Sequence, residues 1–202
     1  MPTKSTETTL EIKRLERVTI EVPIVGTAPL IVQRWSEKAK QMMLAAQQSN
    51  VRTKKEPKDT FALFQASRYL LDDGRDAFPA AGFAAATRGA ARNFDGVTLV
   101  QLRTALFVVG EGDNQLVPLD IDGEPTMRED TPRNANGVAD LRYRAQYWPW
   151  RATLHVRFLP SVISPESVIA LVDAGGMGGV GEWRPSSPKS LTGSFGTYEV
   201  AI

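Results

Sequence analysis

Gly175-Gly176-Met177-Gly178-Gly179-Val180-Gly181-Glu182-Trp183-Arg184 sets five glycines in seven positions, and Gly193-Ser194-Phe195-Gly196 then leads into a strand-like Thr197 to Ile202. One or two glycines satisfy any tight turn. Density this high points to close approach of another backbone or a ligand, or to N–H groups turned toward an anion. Gly175 or Gly176 reads as a helix C-cap. Gly178, Gly179 and Gly181 are left as candidate phosphate contacts, with Arg184 and Lys189 beside them to supply charge.

Upstream of the glycines, Ser164-Pro165-Glu166 starts a helix, with Ser164 as N-cap and Pro165 at the first helical position, running to Ala174. Before it, Trp150 to Phe158 alternates: Trp150, Ala152, Leu154, Val156 and Phe158 share one face, while Arg151, Thr153, His155 and Arg157 share the other. Val18, Ile20, Val22 and Ile24 alternate in the same way over Arg17 to Val25. Ala80 to Asn93 is alanine-rich and helical in spacing, with Arg88 and Arg92 one turn apart. Thr98 to Val109 reads as an extended apolar segment. The resulting order is strand 17–25, helix 80–93, strand 98–109, strand 149–159, helix 165–174, strand 194–201. This predicts an α+β fold with a modified ferredoxin-like, RRM-like βαββαβ core.

Residues 1–16 are expected to be a flexible segment and 17–202 a single domain with two long insertions, 26–79 and 110–148. Within the first, Ser36 is a plausible N-cap for a helix to Gln48, with Ala39, Met42, Met43 and Ala46 as its apolar stripe. Asn50 to Thr60 reads as a mobile basic loop. Phe61 to Leu71 is strand or short helix, and Asp72-Asp73-Gly74-Arg75 is a turn. In the second insertion, Gly110 to Asn114 forms a turn and Leu116 to Ile121 a strand. Glu124 to Asp140 is a loop without a core-like pattern.

Composition removes whole classes. Among 202 residues there is no cysteine and one histidine, His155, which excludes a thiolate zinc site and a cysteine nucleophile. No run approaches the roughly 18 apolar residues of a membrane span, so a cytoplasmic protein without membrane contact is expected. The formal net charge is only +1, yet the bases are unevenly placed. Arg34, Lys38, Arg52, Lys54, Lys55 and Lys58 concentrate in the first insertion. Arg142 and Arg144 interleave with Tyr143, Tyr147 and Trp148 in the second, a pairing suited to stacked bases and phosphates. Solvated loops, or aromatics belonging to the core, are the plainer alternatives. Asp59, Asp130 and His155 are the candidates for a catalytic role, but none sits in a recognisable cluster. No catalytic residue, metal or cofactor is therefore assigned.

Phe78-Pro79-Ala80-Ala81-Gly82-Phe83-Ala84-Ala85-Ala86-Thr87-Arg88 resembles the P-G-S-S-L-K-G-x-x-R helix start of the RAMP superfamily, proteins that form the backbones of CRISPR surveillance complexes. Gly179-Val180-Gly181-Glu182-Trp183 and Gly193 to Val200 resemble that superfamily's glycine-rich loop and following strand. Ala81-Gly82-Phe83 departs from its usual small polar and basic residues. The chain also resembles an uncharacterised phage and prophage family through Pro23-Ile24-Val25-Gly26-Thr27-Ala28-Pro29-Leu30-Ile31, Ser36-Glu37-Lys38-Ala39-Lys40 and Gly181-Glu182-Trp183-Arg184-Pro185. These resemblances imply a protein of a bacterial host cell that binds single-stranded nucleic acid, DNA favoured and RNA as the alternative, largely independently of sequence. Copies would stack side by side along the strand, in replication or recombination, with residues 110–148 as a projecting thumb. An assembly protein whose glycine loop contacts a neighbouring subunit, and a RAMP-like endoribonuclease, are the other readings.

Overall fold

A computed structural model of the chain describes residues 12–35, 41, 44, 59–132, 137, 139–188 and 192–201. In chain order its elements are β1 (Val18–Gly26), β2 (Leu30–Val32), α1 (Thr60–Ala66), β3 (Tyr69–Leu70), β4 (Asp76–Pro79), α2 (Ala80–Gly89) with a 3-10 turn (Ala90–Asn93), and α3 (Leu99–Ala105). There follow β5 (Leu106–Val109), β6 (Leu116–Pro118), β7 (Asp120–Ile121), β8 (Thr126–Asp130), β9 (Arg142–Tyr147), β10 (Trp150–Phe158), α4 (Pro165–Gly178) and β11 (Tyr198–Val200).

The main sheet is antiparallel and ordered β11-β1-β10-β5, with the short β7 also pairing with β10. Counting only the core strands β1, β5, β10 and β11, that order is fourth, first, third, second. With α2 and α4 as the crossovers, it is the ferredoxin-like arrangement that the sequence order predicts. The alternation of β10 decides its faces: the five residues from Trp150 to Phe158 at even positions are buried, and Arg151, Thr153, His155 and Arg157 are exposed. The buried face packs with Phe83 of α2 and with Val168, Leu171 and Val172 of α4 in one core. The other face is open among the described residues.

Glycine sets how closely the helices approach. A Cβ on Gly175 would lie 2.9 Å from the backbone of Ala86 and Thr87, and one on Gly176 would overlap the Tyr198 carbonyl oxygen. Two helices and the last strand thus meet backbone to backbone, which any side chain would prevent. The helix itself runs four residues past Ala174 and is closed by Gly179 at φ 67°.

The insertions are not independent appendages. β2 of the first pairs with β9 of the second, which pairs with β8 to make a three-stranded sheet; β4 of the first pairs with β6 of the second, and with β3, to make another. Three local expectations are corrected. Thr98 to Val109 is not extended throughout: a capping box between Thr98 and Gln101 starts α3, and only Leu106–Val109 is strand. Residues 124–140 contain β8, a strand hidden from pattern reading because Arg128 and Asp130 point into an ion network instead of a hydrocarbon core. Leu116 to Ile121 divides between two sheets at Leu119. Phe61 to Leu71 holds both a helix and a short strand. The predicted helix from Ser36 to Gln48 lies largely outside the described residues, although Gln41 and Leu44 are helical.

Candidate nucleic-acid interface

The exposed side of α2, the turn after it, α3 and the glycine segment enclose a groove of about 900 Å³. Its floor is made by the small residues Gly82, Ala85, Ala86 and Gly89, and its far wall by Gly178, Gly179 and Gly181 with the 76% exposed Met177. Four arginines line it: Arg88, Arg92, Arg103 and Arg184, against one carboxylate, Glu182.

These four, like Arg14, Arg17, Arg34 and Arg157, differ from six other arginines of the described residues. Arg68, Arg75, Arg128, Arg142, Arg144 and Arg151 are all ion-paired with aspartate or glutamate. Among the described residues, no ion pair reaches Arg88, Arg92, Arg103 or Arg184. Arg88 is the most constrained: its Nε and Nη2 donate to the Leu106 carbonyl at 3.0 and 2.6 Å, and its guanidinium lies 5.3 Å from the Phe107 ring centre. Burial, and then the like charge of Arg103, push its pKa below the usual arginine value. A cation held against repulsion and without a counter-ion is a local excess of positive potential. Arg184 braces the loop, donating to the Gly181 carbonyl at 2.8 Å.

Glu182 does not cancel this excess alone, because it is shared with Arg144. The buried Arg144 contacts Asp130 at 3.2 Å, Glu182 at 3.5 Å and the Gln33 side-chain oxygen at 3.1 Å. Arg128 completes the group, 2.8 Å from Asp130 and 4.7 Å from the Phe195 ring. This network ties the β2-β9-β8 sheet to the glycine segment.

The glycine run packs backbone against backbone, and much of its N–H supply is spent within the chain. The N–H groups of Gly179, Val180, Glu182 and Ser186 donate to carbonyls of this chain: Gly175 and Gly176, Gly196, Ile31 and Gly178 respectively. Gly181 and Gly196 have φ of +77° and +67°, and a Cβ on either would overlap a backbone carbonyl, of Ile31 and Val180 respectively. Gly178 is the exception, with only Ser186 nearby, at 3.4 Å. The run is thus mainly a backbone-packing device that forms one wall of the groove.

Of the other sequence candidates, Tyr147 and Arg144 are corrected from surface contacts to core. Tyr147 is 1% exposed and donates to Asp76 at 2.6 Å, where Arg68 also binds; its ring has no face for stacking. The reason is β9, whose two faces are both covered. Arg142 pairs with Asp140, Tyr143 packs against the core, and Trp148 is 53% exposed on the β9–β10 turn. Arg34 is exposed after β2, next to the groove-lining Gln33 but not itself in the lining. Lys38, Arg52, Lys54, Lys55, Lys58 and Lys189 lie outside the described residues.

The three catalytic candidates are scattered. Asp59 caps α1 through the Ala62 N–H, Asp130 is neutralised by two arginines, and His155 sits on the open sheet face 3.8 Å from Glu21. Among the described residues there is no group of His, Cys, Asp or Glu suited to a metal. Arg103, which also lines the groove, is hidden when Thr98 to Val109 is read as extended; Thr98-Leu99-Val100-Gln101 is the capping signal that reveals the helix.

No helix of the described residues is long and apolar enough to cross a membrane. No protein-family model matches the chain, and no curated protein matches it. Among solved structures the chain is similar to the crystal structure of Cmr6 from Pyrococcus furiosus, at 11% identity and a TM-score of 0.48, over 93% of this chain and 100% of that one.

Proposed function

We propose that this chain binds single-stranded nucleic acid, largely independently of sequence, in the groove between α2 and the C-terminal glycine segment. The observation that carries the reading is the meeting of Arg88, Arg92, Arg103 and Arg184 in one groove without a carboxylate bound to any of them among the described residues. Arginine forks suit phosphate oxygens, and the alanine, glycine and methionine surface between them suits unpaired bases. Assembly of copies along the strand, DNA in preference to RNA, and a place in phage replication or recombination are further parts of the proposal. They rest on the sequence resemblance.

The test is anisotropy of a labelled single strand across a salt series, with wild type and an Arg92→Ala/Arg103→Ala double variant. Both residues are exposed, so the variant keeps its fold. Binding through three or four phosphates gives a log–log salt slope of about −2 to −3, and removing two contacts makes it shallower by about 1.4. An unchanged slope and affinity in the folded variant, or no binding by wild type at low salt, refutes the groove.

A further inference from the structure

The groove ends at an unpaired strand edge, and a second hollow begins on the other side of it. Among the described residues β5 pairs with β10 along one side only; along its other side the Leu106 carbonyl is taken by the side chain of Arg88 instead of another strand. The next residue, Phe107, is 44% exposed and turns to the open sheet face. There it lines a hollow of about 450 Å³ with Leu15, Arg17, Thr104, Val109 and Arg157. Neighbouring residues therefore line the two depressions: Arg103 and Arg88 the first, Thr104 and Phe107 the second.

Phe107 is clamped from the groove side by the Arg88 guanidinium, 5.3 Å from its ring centre. Its cross-strand partner is Arg157, and Thr19 stands beyond that on β1. This row offers an aromatic face with a cation on either side. The acidic groups of the open face lie elsewhere: Glu21 is in the following row beside His155, Glu199 is on the opposite edge strand, and Asp120 and Asp122 are tied to Arg151.

We infer that Phe107 is a base-stacking platform, on which a nucleotide leaving the arginine groove over the β5 edge is stacked while Arg157 and Arg17 take its flanking phosphates. The inference rests on the groove reading and adds to it the residue that makes the ligand single-stranded. A paired base has no free face to present, whereas a flexible strand turns over an edge and lays one base on the ring. Stacking on an exposed aromatic is sequence-tolerant, because every base has a π-face.

The test compares wild type, Phe107→Ala, Phe107→Leu, Phe107→Trp and the Arg92→Ala/Arg103→Ala variant, using a single strand carrying one 2-aminopurine and its duplex form. Phe107→Ala is expected to weaken single-strand binding about tenfold with the salt slope unchanged, because a base contact and no phosphate contact is lost. It should also abolish the quenching of 2-aminopurine that stacking produces. Phe107→Leu keeps the apolar bulk and should behave like the alanine variant; Phe107→Trp should restore both affinity and quenching. Wild-type affinity in Phe107→Ala, with weakened binding in the groove variant, overturns the stacking platform and leaves the groove intact. Weakened binding in Phe107→Ala alone supports the platform and refutes the groove. Equal binding of duplex and single strand by wild type overturns the platform as well.

Discussion

Alanine at Gly176 and alanine at Gly178 should have opposite effects although the two glycines share one helical turn. Both have helical backbone, where alanine is favoured over glycine by about 1 kcal/mol. At Gly178 nothing opposes that gain, because the nearest atom to the new Cβ is the Ser186 Cβ at 3.4 Å. At Gly176 the Cβ would overlap the carbonyl oxygen of Tyr198, and no rotamer change moves a backbone oxygen. α4 and β11 would have to part, at about 3 kcal/mol for overpacking of this kind, leaving a net loss of about 2 kcal/mol. For a chain of this size, each kcal/mol moves Tm by about 2 to 4 °C. Thermal unfolding followed by circular dichroism should therefore place Gly176→Ala about 4 to 8 °C below wild type and Gly178→Ala about 2 to 4 °C above it. If Gly176→Ala melts with wild type, or Gly178→Ala falls as far as Gly176→Ala, the run is not the backbone-packing device described above.

Three further outcomes follow from the buried polar groups and the groove. Arg144→Ala leaves Asp130 and Glu182 without their shared cation; loss of one partner of a buried pair costs about 3 kcal/mol, less where Arg128 still holds Asp130, and urea titration should show a lower midpoint with little change in slope. Burial and the Asp76 carboxylate raise the phenol of Tyr147, so its contribution to stability is complete below the unfolded tyrosine pKa of about 10 and is lost as pH rises beyond it. Tyr147→Phe should flatten that alkaline loss in unfolding experiments, and a curve as steep as wild type would refute the assignment. Replacing Arg184 with Lys keeps the charge but loses the planar guanidinium, whose Nη1 donates to the Gly181 carbonyl while its other nitrogens are left for phosphate, so weaker strand binding with an unchanged salt slope is expected in the anisotropy assay.

The ferredoxin-like core was legible because its signals are local. The two-residue alternation of β1 and β10, and the Ser164-Pro165 start of α4, each carry their structure within a few residues. Arg88, Arg92 and Arg184, which line one groove, are marked in the sequence by equally local signals, helical spacing and proximity to the glycines. What stayed hidden depends on partners far along the chain. Tyr147 can be a core residue because its hydroxyl donates to Asp76, and Arg144 because Asp130 and Glu182 pair with it, and no pattern around residues 142–147 reports those partners. β8 escaped since the inward side of a strand packed on an ion network is charged. The density of the glycine run signals a close backbone approach, but that residues 29–31 and 195–198 of this chain supply that backbone depends on contacts far along the sequence.

The interleaving of the sheets also sets a timetable for synthesis. Among the described residues β1 pairs with β10 and β11, and β2 with β9, so the first strand of the core lacks its full-length partner until residue 158 has been made. At about 5 to 20 residues per second, the 140 residues between positions 18 and 158 take roughly 7 to 28 s to make. During that interval the apolar side of β1, with Val22 and Ile24, lacks the β10 and α4 residues that share its core. Folding from such distant contacts is slow in itself. A ribosome-stalled chain ending before β10 should accordingly be a substrate for holding chaperones, and one extended past β11 should not.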